Sequence, residues 1–238
     1  MHIQPDSLDW IFFDLDNTIW DHASASRRAI GHICTRYGLP PMQFMAAFKQ
    51  HNDALWGELA KGRVDWNVLR VRRFELVLNQ MACGCSSNDA EEMSRHYLAK
   101  YLEEPALLPG AVEAVAFACS IARVGVLTNG ARDVQLAKLA YLPMKIEFVQ
   151  CANEGCGAKP SPDFFRAAQQ PVGDPSRLLM VGDSFAEDVL PTLELGWRAV
   201  WVRHHQEIPD NPPKNLLTIP DLGTFTTLFA CQTAFPSA

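Results

Sequence analysis

Residues Trp10 to Thr18 read WIFFDLDNT, an apolar run that ends in two carboxylates separated by one residue. Ile11, Phe12, Phe13 and Leu15 show no polar alternation, so the run suits a strand buried on both faces of a parallel sheet. Asp14 and Asp16 then fall at the carboxyl end of that strand, the edge where open α/β sheets place their ligands. Residues i and i+2 of a strand project from one face, whereas a tight turn after Asp14 would re-aim the second carboxylate towards the same cavity. Either geometry brings two acids to one reacting centre.

The rest of the chain is organised in two parts. From about His22 to Glu104 the pattern is helical. Ala29, Ile30, Ile33 and Tyr37 form one apolar stripe, ended by Gly38 and the pair Pro40, Pro41. Phe44, Met45, Phe48, Leu55, Trp56 and Leu59 form a second, and Val68, Val71, Phe74, Leu78 and Met81 a third after an Asp65 N-cap. Ser87 or Asn88 caps a fourth helix, with Glu91 and Glu92 in its first turn and Met93, Tyr97 and Tyr101 on its apolar face. After Pro105 to Gly110, short apolar runs at 124–128, 147–151, 178–182 and 199–202 are spaced as βαβ crossovers require. The expected fold is α/β, a Rossmann-like doubly wound parallel sheet built from residues 1–21 and 105–238, with an inserted four-helix domain over 22–104. Asn17 to Asp21 and Glu104 to Gly110 are the hinges. An edge strand is expected near Leu216 to Ile219, followed by a weakly specified tail.

Composition narrows the function. The 238 residues carry a formal net charge of -6, and no basic patch is visible, which disfavours nucleic acid polymers and anionic membranes as partners. No apolar run has the length of a membrane span, and no signal-like segment opens the chain, so a cytoplasmic monomer or homodimer is expected. The seven cysteines read as reduced thiols, mostly buried. Cys83 with Cys85, and Cys151 with Cys156, are too isolated for a zinc site. His22, His204 and His205 read as surface residues.

Four short motifs occur in order: DLDNT at Asp14 to Thr18, VLTNG at Val126 to Gly130, AKP at Ala158 to Pro160 and VGDSFAED at Val181 to Asp188. Together they point to phosphoryl transfer. An ionised Asp14 can attack phosphorus to form an acyl phosphate that water then hydrolyses. Asp16 suits the acid that protonates the leaving alkoxide and then the base that activates water. Asp183 reaches the same sheet edge, and converging carboxylates suit Mg²⁺, a hard ion that seeks oxygen. Asp188 either joins this acidic shell, directly or through water, or stabilises a helix N-terminus. Thr128, Asn129 and Gly130 lie where a strand gives way to a helix and can cradle phosphate oxygens. Lys159 supplies the positive charge that would hold Asp14 and the phosphate together.

With its helical insert after the first motif, the chain resembles the haloacid dehalogenase-like hydrolase superfamily over essentially its whole length. The resemblance implies Asp14 and Asp183 as side-chain ligands of Mg²⁺, with the Asp16 backbone carbonyl as a third. It also implies that the insert closes over the site and chooses the leaving group. The segment LWGELAKGRVDWNVLRVRRFE is similar to the insert of the branch containing pyrimidine 5′-nucleotidases and N-acylneuraminate-9-phosphatases. There Trp56 and Trp66 could stack on a base and Arg72 or Arg73 could meet the polar end of the substrate. Alternatively the tryptophans belong to the core of the insert and the arginines pair with Glu58 or Glu75. The expected activity is an Mg²⁺-dependent phosphatase acting on a small phosphorylated metabolite, with a nucleoside 5′-monophosphate as leading substrate. The alternatives are a sugar-phosphate phosphatase, a phosphomutase, a 2-haloacid dehalogenase and a non-catalytic binding protein.

Overall fold

The computed structural model describes residues 3–82, 87–152, 154–171, 173–208 and 211–229. Cys83, Cys85, Cys231 and the end of the tail lie outside them. The chain splits into two compact units, Met1–Asp21 with Leu107–Ala238, and His22–Ala106. Among the described residues no helix is long and apolar enough to cross a membrane.

The first unit is built on a six-stranded, all-parallel sheet. Its strands are β1 (Trp10–Phe13), β2 (Arg123–Thr128), β3 (Phe148–Cys151), β4 (Leu178–Gly182), β5 (Arg198–Val202) and β6 (Leu216–Ile219), in the order β3-β2-β1-β4-β5-β6. The expected edge strand is β6. β1 lies between β2 and β4, with Phe13 level with Val126 on one side and Val181 on the other. This register sets the carboxyl ends of three strands side by side. Both faces of β1 are covered, as its unbroken apolar run requires. Phe12 stacks on Trp10 with ring centroids 5.4 Å apart and also meets Phe148 and Trp197, while Phe13 packs on Phe225. The crossovers carry helices α5 (Ala111–Ile121), α6 (Arg132–Leu139), α7 (Pro162–Gln169) and α8 (Leu190–Glu194).

Beyond Asp14 the chain turns sharply. The Leu15 carbonyl accepts the N–H groups of both Ile19 and Trp20, and Asn17 takes a left-handed conformation at φ 63°, which asparagine tolerates better than most residues. Leu108 N–H donates to Ile19 O, so the chain re-enters this unit beside its exit.

The second unit holds α1 (His22–Tyr37), α2 (Pro41–Ala60), α3 (Trp66–Gln80) and α4 (Ser87–Leu102). α1 packs on α4, α2 on α3, and α3 on α4. Asp65 caps α3 by accepting the Val68 N–H. Three expectations are corrected. The buried face of α3 is Leu69, Phe74, Val77 and Leu78, with Val68 exposed, because the inward row runs 69, 73, 77 and places Arg73 among apolar neighbours. The acid in the first turn of α4 is Asp89, since a start at Ser87 moves Glu91 and Glu92 beyond it. Of the four described cysteines only Cys34 and Cys151 are buried, and Cys119 is exposed on the flank of the Ala114, Val115, Ala118 face of its helix.

Gly125 of β2 lies under the Phe12 ring, where a Cβ would come within 2.7 Å of two ring carbons. That ring is enclosed by three aromatic neighbours and has no room to yield. Gly125→Ala is therefore expected to lower unfolding free energy by about 1–3 kcal/mol, the usual cost of overpacking. Urea denaturation checks this, and an unchanged midpoint would contradict the packing described.

Candidate active site

Asp14 directly follows β1 and is buried. Its partner is Lys159, whose Nζ lies 2.5 Å from Asp14 Oδ1 and 2.6 Å from Asp188 Oδ1. Lys159 lies in the loop between β3 and the helix Pro162–Gln169, and its main chain is fixed by one side chain. Asn129 Oδ1 accepts the Lys159 N–H at 2.8 Å, and Asn129 Nδ2 donates to the Lys159 carbonyl at 3.0 Å. Asn129 therefore uses both ends of its amide on the lysine loop, its Nδ2 also donating to Glu187 Oε2 at 3.3 Å. Asp188 comes from a single π-helical turn, Phe185–Val189, and also accepts the Ser184 N–H. Gly182 leaves it room, since any Cβ there would overlap the Asp188 carboxylate. Of the two readings of Asp188, structure adds a third element: its main contact is Lys159.

Asp183 follows β4, and its N–H donates to Thr18 Oγ1 at 3.1 Å. The Thr18 hydroxyl lies 3.1 Å from Asp14 Oδ2 and 3.3 Å from Asp183 Oδ1. With one proton it can serve only one of them at a time. Thr18 links the two acids, a contact that the DLDNT motif contained but that spacing did not single out.

Three carboxylates thus face one ammonium. Burial pushes the Asp14 carboxyl up to about 7, with Lys159 pulling it down and Asp188 and Asp16 pushing it further up. Burial and the nearby Asp14 raise Asp183 to about 6, and burial raises Asp188. Burial alone would lower Lys159, but its two carboxylate partners prevail and raise it. Oxygens of Asp14, Asp183 and Asp188 lie within 4.8 Å of one another. An excess of hard oxygen donors around one lysine fits a divalent cation such as Mg²⁺.

Thr128 ends β2 and its Oγ1 accepts two bonds, from Gly130 N–H at 3.1 Å and from Gln135 Nε2 at 2.8 Å. With both lone pairs taken, its own O–H proton is left to donate to a third group. The Gly130 N–H is already used within the loop, so the hydroxyl is the better-placed donor.

Asp16 sits on the turn after Asp14, and α6 (Arg132–Leu139) meets it with two side chains. Lys138 Nζ lies 2.5 Å from Asp16 Oδ1, and Gln135 Nε2 lies 2.9 Å from Asp16 Oδ2. Sequence reading passed over both. Their signal was positional: after VLTNG, the inward row of the next helix carries Gln135 and Lys138 where apolar residues are usual. His204 is half-buried rather than at the surface, with Nε2 2.9 Å from Asn17 O. His22 is half-buried on Tyr101, and His205 is exposed.

In the helical unit, Trp56 and Trp66 pack edge to face at 5.0 Å over Leu55, Leu59 and Leu69. Arg72 pairs with Glu75, whereas Glu58 takes Arg63 and Lys61, the cations nearest to it at the end of α2. Arg73 pairs with neither glutamate. Its guanidinium lies over the rings of Phe48, Phe74 and Tyr97, 4.6 Å from the last, and donates to Asn52 Oδ1. Burial lowers it.

Residues 8–193 match the family model described as haloacid dehalogenase-like hydrolase. The chain belongs to the haloacid dehalogenase-like hydrolases. Among curated relatives of this hydrolase, pyrimidine 5′-nucleotidase YjjG of Escherichia coli (strain K12) is 27% identical over 209 residues, covering 85% of this chain and 89% of that protein. Human N-acylneuraminate-9-phosphatase is 26% identical over 213 residues, covering 84% of each. Among solved structures, the putative hydrolase YfnB of Bacillus subtilis, bound to magnesium, shares the fold with a TM-score of 0.78 at 19% identity, covering 93% of this chain and 98% of that one. A 2-haloacid dehalogenase from Pseudomonas syringae pv. Tomato DC3000 shares it with a TM-score of 0.66 at 22% identity, covering 93% and 97%.

A carboxyl raised by folding destabilises the protein when it ionises. For Asp183 that cost is absent below its ordinary value of 3.8, grows as pH rises through about 6 and is complete above it. In chelator, Asp183→Asn is thus expected to be more stable than the native protein at pH 8, by at most about 3 kcal/mol, with the difference vanishing by pH 4. Thermal or chemical unfolding at both pH values checks it, and a difference independent of pH would contradict it.

Proposed function

We propose that this hydrolase is an Mg²⁺-dependent phosphatase that cleaves a small phosphate monoester through an aspartyl-phosphate at Asp14. The carrying observation is the Lys159 ammonium held between Asp14 and Asp188, with the spare Thr128 proton and Asp183 at the neighbouring strand ends. An anion brought to Asp14 finds compensating donors on residues that are already fixed, so little reorganisation is needed during reaction.

In the first half-reaction an Asp14 carboxylate oxygen bonds to phosphorus, the ester P–O bond breaks, and the proton of the Asp16 carboxyl passes to the leaving oxygen. In the second, water attacks phosphorus and gives its proton to the Asp16 carboxylate as the Asp14–phosphorus link breaks. Lys159 keeps Asp14 oriented and offsets the charge gathering on the phosphoryl oxygens. Asp14 and Asp183, with the Asp16 carbonyl, would hold the cation, which would offset the negative charge of carboxylates and phosphate.

We assign the choice of leaving group to the helical unit. The two curated relatives act on a pyrimidine nucleotide and an acylneuraminate phosphate, both phosphate esters by their names, which supports a nucleoside 5′-monophosphate or a sugar phosphate. Arg73, a cation matched by aromatic faces and an amide rather than a carboxylate, is the specificity residue of this reading, while Trp56 is committed to Trp66.

Native protein with Mg²⁺ is expected to release phosphate selectively from a panel of nucleotides and sugar phosphates. Chelator or Asp14→Asn should reduce release by about a thousandfold or more, as for loss of a nucleophile. No release from any ester would overturn the reading. The dehalogenase fold match supplies a control: metal-independent chloride release from 2-chloropropionate would favour that chemistry instead.

A further inference from the structure

Asp16 is 30% exposed at its side chain and stands on a turn, so its backbone alone does not fix where the carboxyl points. Its two oxygens nevertheless have separate donors. Lys138, 2% exposed, holds Oδ1, and Gln135, 1% exposed, holds Oδ2. The same Gln135 nitrogen reaches Thr128 Oγ1, which ties the second acid to the end of β2. Gly130 is part of this arrangement, because any Cβ there would occupy the space of the Gln135 amide. Lys138 also lies 5.9 Å from the ring centroid of Trp20, on the same turn as Asp16, and Trp20 packs on Tyr141 beyond the helix end.

For stability alone the arrangement is costly. An ammonium is buried, and Gln135 Oε1 is buried with no hydrogen-bond partner among the described residues. An orphaned acceptor of this kind costs about 1–3 kcal/mol, and apolar residues of similar volume would often serve a core equally well. The cost is borne where both side chains meet Asp16, a partly exposed acid that stands on a turn.

We propose that Lys138 and Gln135 are positioning residues that hold the Asp16 carboxyl in the orientation from which it serves the leaving-group oxygen and then the water. The proposal rests on the phosphatase reading for its chemistry but not for its geometry. Lys138 holds the Asp16 carboxylate at 2.5 Å and acts through it. A carboxyl released from this clamp would rotate into solvent and lose the alignment that proton transfer needs.

The kinetic test compares kcat/KM, which covers steps up to formation of the phosphoenzyme, for an alkyl phosphate and for p-nitrophenyl phosphate. The alkyl leaving group requires the Asp16 proton and the nitrophenolate does not. Lys138→Met is expected to lose about tenfold or more on the alkyl ester and less than about threefold on the aryl ester, with Lys138→Arg recovering most of the loss. Equal losses on both esters, or none on either, would overturn the proposal. The orientation itself is tested without turnover, from the Asp16 χ1 populations by NMR couplings in the native protein and in Lys138→Met with Gln135→Leu. One rotamer in the native protein and averaging in the variant is the expected result. A single unchanged rotamer in the variant would overturn the clamp. Absence of native turnover on both esters would count against the phosphatase reading alone, leaving the rotamer result to decide this one.

Discussion

The structure depends on the Lys159 ammonium between Asp14 and Asp188. A strand buried on both faces delivers Asp14 into a space where an isolated carboxylate could not stay ionised. The lysine makes the placement tolerable, and removing one member of such a buried set leaves its partners uncompensated. Much of the surrounding chain exists to keep that cation in place: Asn129 grips its main chain from the end of β2, Gly182 makes room for Asp188, and Ser184 orients the Asp188 carboxylate from the start of its turn.

Topology supplies what a local motif cannot. With β1 between β2 and β4, the residues at the ends of three parallel strands arrive together although Asp14 is more than a hundred positions from both Thr128 and Asp183 in sequence. The sheet register therefore determines the site, and packing such as Phe12 over Gly125 maintains the register. The two acids of the DLD pair receive different surroundings. Asp14 is enclosed and paired with Lys159, while Asp16 is partly open and held from α6. In the proposed reaction one acid bonds to phosphorus and the other moves a proton, and separate environments are how two like groups take separate roles.

Continuous apolar runs and strand-end motifs made the sheet legible, and all six strands fall within about a residue or two of their expected places, as boundary signals allow. The helices were legible too, but not all of their faces. On α3 the valines suggested an inward row that Arg73, a charged residue on the true row, disguised. The same rule hid Lys138 and Gln135. Polar residues on the inward face of a helix give no periodic signal, and only the arrival of Asp16 from another element explains them. Asp14, Asp16, Thr128, Lys159, Asp183 and Asp188 could be named from order and chemistry. The use of the Asn129 side chain to anchor the lysine loop could not, because a hydrogen bond spanning 30 residues leaves no mark in local spacing.

The most direct test of this account is to trap the covalent intermediate. Protein turning over its best phosphate ester with Mg²⁺ would be quenched in acid, reduced with borohydride, which converts an aspartyl-phosphate to homoserine, and mapped by mass spectrometry. The account predicts homoserine at position 14. Conversion at Asp16 or Asp183 instead, or turnover with no carboxylate converted, would contradict it.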